Sequence, residues 1–271
     1  MNRMSDPDFP GSLAEPRPPK PRRTGETWIQ LYGEAPRAVE DLLTMAAPFI
    51  DRAKLAYGSS LLAERSVLEA TVGLLAKAGV DVYPGGTLVE MAIRARRYPD
   101  LLVWAREVGF TAIEVCDGVI ELPPADRRRA IEQAVAAGFR VTTVVQEVVR
   151  KPLAEVVPLR ERIERVREDL AAGATHCHVV FQAMMRGETP SDVVGPIKRE
   201  QVRTLAEAAG PERLVWEATR IEDQLYYLRA LGREVNLGHV PPATIVQLEA
   251  HRRGLGYESF WSKVWKRDHW D

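Results

Sequence analysis

From residue 27 onward, short runs rich in Val, Ile and Ala alternate with longer stretches whose apolar positions recur every three or four residues. The first kind suits a strand covered on both faces, the second an amphipathic helix with one face on a core. Eight strands are predicted, over 27–31, 52–56, 80–83, 112–115, 140–145, 176–181, 214–217 and 234–237. Helices are predicted between them, among others over 66–78, 124–137, 159–172 and 221–231. Gly79, Gly138, Gly173 and Gly232 end those helices, since glycine readily takes the left-handed backbone that follows a last helical turn. The order helix end, glycine, strand start recurs in Ala-Lys-Ala-Gly-Val-Asp-Val, Arg-Glu-Val-Gly-Phe-Thr-Ala-Ile, Val-Ala-Ala-Gly-Phe-Arg-Val and Leu-Ala-Ala-Gly-Ala-Thr-His. Eight near-equal βα units predict an α/β chain folded as one (β/α)8 TIM barrel over residues 26–271, with a doubly wound open sheet as the second choice.

The ends differ from this pattern. Residues 1–25 hold Pro16, Pro18, Pro19, Pro21, Arg17, Arg22 and Arg23 with little to bury, and are expected to form a flexible tail, folding over the barrel's base being the other course. Beyond residue 240 a helix through Leu248 to His251 is followed by Tyr257, Phe260, Trp261, Trp265 and Trp270, which suit a seal on the barrel or a subunit contact better than a cofactor site.

Charge removes whole classes of function. The 37 Lys and Arg balance 38 Asp and Glu, a net charge of −1, so no summed field attracts nucleic acid or an anionic membrane. No apolar run approaches the roughly 20 residues of a membrane span, and the N-terminus lacks an apolar signal core. Cys116 and Cys177 sit in strand-like runs and read as buried thiols. A cytoplasmic protein is expected, without nucleic acid or membrane partners, as a homo-oligomer; charge itself names no partner.

In such a barrel the chemistry gathers where the strands run out into the βα loops. Glu114 and Glu217 alternate with Ile113, Val115 and Trp216, which turns both carboxylates into the barrel and the apolar residues toward the helices. A buried carboxylate requires a cation; a divalent metal such as Mg2+ or the Lys54 ammonium would serve, and a plain interior salt bridge is the alternative. Gly85-Gly86-Thr87 opens a helix after strand three, where backbone N–H groups would meet an anion and Thr87 would cap, although the same residues also make an ordinary tight turn. His176 and His178 share a face of strand six and are read as packing, because no third zinc ligand lies at a familiar spacing. No hydrolase elbow, phosphate-binding Walker loop or dinucleotide glycine pattern is present.

Val82-Tyr83-Pro84-Gly85-Gly86-Thr87-Leu88-Val89-Glu90 closely resembles the signature of the phosphosulfolactate synthases. The likeness extends from Gly25 to Gly256 through Phe49-Ile50-Asp51 with Lys54 and Gly58-Ser59, Gly109 to Gly118, Asp169 to Ala174, Glu217-Ala218 with Gln224, and Val235-Asn236-Leu237. The resemblance implies a lyase barrel that forms a carbon–sulfur bond by adding sulfite, or a related nucleophile, to phosphoenolpyruvate or a similar enol acid, with Mg2+ as cofactor. It implies Lys54, Glu114, Glu217 and Lys151 as catalytic residues, Glu114 and Glu217 as metal ligands, and Gly85, Gly86, Thr87, Arg220 and Asn236 around the small anionic substrate and its phosphate. The chain departs from the family pattern at Leu31 and Tyr32, at 144–151 around Gln146, Glu147, Arg150 and Lys151, and at 181–188, where Arg186 and Glu188 are the nearest charged residues. Leu31, Phe181, Met184 and Met185 in the pocket would favour a changed substrate, and a stress-related or scaffolding member without catalysis is the third reading. Convergence of Lys54, Glu114, Glu217, Asn236 and Arg220 would favour an enzyme; a cavity filled by Met184, Phe181 or Trp216 would not.

Overall fold

The structure is a computed structural model, and it describes residues 11–146, 148–150, 154–180 and 196–260. Eight parallel strands form the sheet: β1 (Thr27–Leu31), β2 (Arg52–Leu55), β3 (Asp81–Pro84), β4 (Ala112–Val115), β5 (Arg140–Gln146), β8 (His176–Val180), β9 (Leu214–Glu217) and β10 (Leu237–Val240). Two further strands, β6 (Val148–Arg150) and β7 (Ala154–Val156), pair antiparallel beyond the end of β5 and were not predicted. The order β3-β2-β1-β10-β9-β8-β5-β4 sets the first and last barrel strands side by side. The remaining seam, between β3 and β4, is bridged where Thr111 N–H donates to Val82 O and Val82 N–H donates to Thr111 Oγ1, both at 3.0 Å. The chain is thus a nearly closed TIM barrel.

Alternation along each strand separates two apolar regions. Ile29, Leu31, Ile113, Val115 and Trp216 join the large core between strands and helices, while Trp28, Tyr83, Ala112 and Val215 form a separate cluster inside the barrel. The helices that cover the outside include α1 (Pro36–Ala46), α2 (Ser59–Leu62), α3 (Arg65–Lys77), α4 (Gly86–Arg94), α5 (Tyr98–Val108), α6 (Pro124–Ala136), α7 (Leu159–Ala171), α8 (Pro196–Ala209), α9 (Ile221–Leu231) and α10 (Ile245–Arg252). The four glycine stops all have positive φ, from 65° at Gly79 to 108° at Gly173. Among the described residues no helix is long and apolar enough to cross a membrane.

Two expectations are corrected. Leu31 does not line a pocket: it shares parity with Ile29 and packs against the helices, leaving Gln30 and Trp28 on the inner face. The last strand runs over Leu237–Val240 rather than 234–237, because Gly238 lies inside it instead of ending it. A Cβ there would stand 2.6 Å from His178 Nε2, so glycine is what lets the two strands and the ring coexist.

The basic residues of the N-terminal stretch take the second of their two courses and fold over the base. Lys20 Nζ donates to three carbonyls, Ala47, Ile50 and Ala78, at 2.8–2.9 Å. Arg22 pairs with buried Asp51 at 2.9 Å, and Arg17 with Glu249 of α10 at 3.2 Å. Tyr257 and Phe260 are exposed, whereas Trp261, Trp265 and Trp270 lie outside the described residues.

Candidate active site

Lys54, Glu114 and Glu217 do converge, at the loop end of the barrel, and two histidines join them. Lys54 Nζ lies 2.6 Å from Glu114 Oε1 and 3.1 Å from His239 Nε2. His239 Nδ1 lies 2.7 Å from Glu217 Oε1. An ammonium has no lone pair, so Lys54 donates to Nε2, the ring proton sits on Nδ1, and His239 donates it to Glu217. The result is a continuous chain of carboxylate, ammonium, imidazole and carboxylate across β4, β2, β10 and β9. His239 has φ +53°, a left-handed backbone uncommon outside glycine, which aims its ring into the barrel.

Burial determines how these groups ionise. For Lys54 burial is the largest single influence and lowers the pKa, but the charge and hydrogen bond of Glu114, with Cys116 and Glu217 adding to them, together raise the value above that of an ordinary lysine. Burial pushes Glu217 up to about 7, with Lys54 opposing. Burial, and then the nearby positive charge of Lys54, holds His239 well below its usual range; for His178 burial leads and His239 and Lys54 add to it. Both rings are therefore neutral at physiological pH. Cys116, beside the carboxylates, is raised to about 12 by burial and is no thiolate nucleophile.

The glycine turn works differently from the anion cradle expected of it. Gly86 N–H donates to Glu114 Oε1 at 2.8 Å, so this amide of α4 is committed to the protein's own carboxylate. A Cβ on Gly86 would stand 2.7 Å from both Glu114 Oε1 and Cys116 Cβ, and one on Gly85 2.9 Å from the Tyr57 backbone nitrogen. Both positions are glycine because the turn presses onto its neighbours. Thr87 does not cap: Gly85 is the N-cap residue and no side chain bonds the turn. One turn further on, Glu90 accepts from Val119 N at 2.7 Å and Ile120 N at 3.1 Å, fixing the loop after β4.

Other predicted residues lie elsewhere. Asn236 is at the opposite end of the barrel, as a consequence of the shifted last strand. Its Oδ1 accepts from Glu26 N at 2.9 Å and its Nδ2 donates to Leu214 O at 3.0 Å, so its amide ties chain segments together. Arg220 stands in the loop after β9, about half exposed, with Glu222 at 3.5 Å. Lys151, Glu147, Phe181, Met184, Met185, Arg186 and Glu188 lie outside the described residues. Trp216 faces the helices, its ring centroid 5.3 Å from that of Tyr227, and does not fill the barrel. His178 and His239 were missed as site residues. His178 has the inward parity already used for the carboxylates, and His239 follows directly on Gly238.

A cation site can be judged from the donors. Among the described residues the one group able to share an ion is Glu114, His178 and His239, whose ligand atoms lie within 4.8 Å of one another. Glu217 is outside it, on the far nitrogen of His239. One carboxylate and two imidazoles are a nitrogen-rich set, unlike the all-oxygen shell that Mg2+ prefers. The cation that buried Glu114 requires is present as Lys54.

Comparison with known proteins agrees with the motifs. The family model described as (2R)-phospho-3-sulfolactate synthase matches residues 15–258. A phosphosulfolactate synthase of Methanothermobacter thermautotrophicus is 33% identical over 247 residues, covering 90% of this chain and 94% of that protein. One from Bacillus subtilis is 26% identical over 249 residues, covering 89% and 94%. Among solved structures, N-acetylneuraminate lyase from Mycoplasma synoviae aligns with a TM-score of 0.54 at 10% identity, over 90% of this chain and 77% of that one. 3-Hexulose-6-phosphate synthase from Salmonella typhimurium aligns with a TM-score of 0.51 at 16% identity, over 84% and 100%. These two share the fold alone. With the signature turn pressed onto Glu114, Lys54 held beneath it, and a family match running nearly end to end, the chain belongs to the phosphosulfolactate synthases, a family of enzymes.

Proposed function

We propose that this barrel catalyses the addition of sulfite to the enol carbon of phosphoenolpyruvate, making a carbon–sulfur bond. The observation that carries the reading is the buried Lys54 ammonium, 2.6 Å from Glu114, at the strand ends of a chain belonging to this family. The sulfur lone pair attacks the terminal CH2 carbon. The π electrons move through the phosphate-bearing carbon onto the carboxylate, and a proton then joins that carbon, so no bond to phosphate breaks. The difficult species is the intermediate, whose carboxylate carries an extra negative charge. A preorganised ammonium aimed at that charge in a site shielded from water is the kind of group worth about 3 kcal/mol or more there.

Glu114 and Gly86 hold the ammonium in place, and the strained His239 fixes its other side. With its proton on Nδ1, His239 donates to Glu217 and accepts from Lys54, so it positions the ammonium, while the Glu217 carboxyl, with a pKa of about 7, is the group of this chain that changes protonation near neutral pH. Arg220, on the same rim, is the described residue suited to meet an incoming phosphate, by exchanging Glu222 for it.

The test is to incubate the protein with phosphoenolpyruvate and sulfite, with Mg2+ and with a chelator in its place, and follow phosphorus NMR. A phosphosulfolactate resonance that disappears in Lys54→Ala and Glu217→Gln supports the proposal. An unchanged spectrum at high enzyme concentration in both media overturns it.

A further inference from the structure

Three buried polar features at the loop end are left over from this account. Glu114 Oε2 has no hydrogen-bond partner, and neither Nδ1 nor Nε2 of His178 has one, although both residues are essentially inaccessible to water. Stranding polar atoms in this way costs about 1–3 kcal/mol each, and a folded protein rarely carries several together without a use for them. The His178 ring is held with some care. Gly238 leaves it room, Trp28 packs edge-on at 6.2 Å, and the His239 ring lies 4.2 Å away at 70°.

We propose that Glu114, His178 and His239 form a binding site for a first-row transition-metal dication of the nitrogen-accepting kind, such as zinc or cobalt, in place of Mg2+. Their ligand atoms lie within 4.8 Å of one another, and side-chain adjustments of about 1 Å bring them to the separations set by metal–ligand bonds of about 2.1 Å. His239 is already arranged as a ligand: Nδ1–H is tied to Glu217 at 2.7 Å, the carboxylate partner that typically orients a metal-bound imidazole, and Nε2 faces the cluster. What Nε2 meets there now is a positive charge, Lys54 Nζ, which also touches Glu114. The ammonium holds the place of a cation on two of the three ligands, so metal and Lys54 are mutually exclusive on Glu114 and His239. Three protein ligands would leave a coordination position for water or substrate.

Metal binding is read without turnover, so failure of the site and failure of the proposed reaction are distinguishable. Chelator-treated protein is titrated with Co2+ and the visible d–d bands are recorded, with Zn2+ and Mg2+ as competitors. One equivalent is expected to give bands that Zn2+ abolishes and Mg2+ leaves unchanged. Glu114→Gln, His178→Gln and His239→Asn each weaken binding at least a hundredfold, whereas Lys54→Met, which removes the competing charge, tightens it at least tenfold. Circular dichroism checks that each variant folds, and if His178→Gln does not, His239→Asn and Lys54→Met carry the test with effects of opposite sign. Absent bands, bands equally strong in the ligand variants, or Lys54→Met that binds no more tightly than the parent overturn the proposal.

Discussion

The two ends of the barrel both bury carboxylates but leave them in different states. At the base, Asp51 has both oxygens engaged by Arg22 and Thr27 N, at 2.8–3.1 Å, and Glu249 has both on Arg17 at 3.2 Å. At the loop end, Glu114 and Glu217 each use one oxygen and leave Oε2 buried without a partner. A fully bonded carboxylate is part of the framework; a half-bonded one is high in energy until something arrives to complete it. Stability and reactivity are thus assigned to opposite ends of the same strands.

The largest expected effect comes from removing the cation at the loop end. Lys54→Met lowers the addition rate at least a thousandfold, about 4 kcal/mol of transition-state stabilisation, measured by phosphorus NMR. It also lowers unfolding stability by about 3 kcal/mol, because Glu114 is left charged and unpaired. Adding Glu114→Gln restores the stability but not the turnover, and recovery of both would erase the contrast between the ends. Asp51→Asn at the base is expected to cost about 2–3 kcal/mol in denaturant unfolding by orphaning Arg22, while kcat/KM stays within about twofold. A proportional loss of turnover would mean that the base takes part in the chemistry.

Gly86→Ala sharpens the comparison from the backbone side. A methyl 2.7 Å from Glu114 Oε1 and Cys116 Cβ forces the carboxylate aside, with about 2 kcal/mol of destabilisation and a lower kcat. Asp223, buried at the start of α9, gives the smallest effect and a pH signature. Burial pushes its carboxyl up to about 6, above the value of about 4 in an unfolded chain. The folded state then binds more protons between those values, so this group's contribution to stability falls as pH rises from 4 to 6 and is level above. Asp223→Asn should raise the melting temperature at pH 7.5 and leave it unchanged at pH 4.

Much of the barrel was legible in the chain. β1, β4 and β9 occupy the predicted residues, because each is a short run buried at every position, as a strand covered on both faces must be. Glu114, Glu217 and Lys54 were readable as a group from inward parity. The same rule applied to β1 would have placed Leu31 beside Ile29 on the outer face, and applied to β8 would have set His178 among the carboxylates. Asn236 and His239 exchanged importance through one residue, Gly238: read as an end, it hides the histidine behind it; inside the strand, it carries His239 to the site and leaves Asn236 at the base. The steric contact that requires glycine there comes from a ring on β8, two strands away in the sheet and 60 residues earlier, which no local pattern records. The Gly86 amide was likewise unreadable as a tie to Glu114, since that carboxylate arrives from the next strand.

The N-terminal strap sets an order of events during synthesis. Its partners include Glu249, which receives Arg17, and Arg253, whose carbonyl accepts from Glu15 N at 2.9 Å, while Gly25 N donates to Glu234 O at 2.7 Å. A chain still on the ribosome has made its first 25 residues long before any of these exist, so the strap waits unlatched until α10 has emerged. Lys20 can find its three carbonyls early, once α3 is formed, but the clasp on α10 is a signal of completion. Hydrogen exchange on stalled chains should find the amide of Gly25 protected only after residue 234, and that of Glu15 only after residue 253, has cleared the exit tunnel.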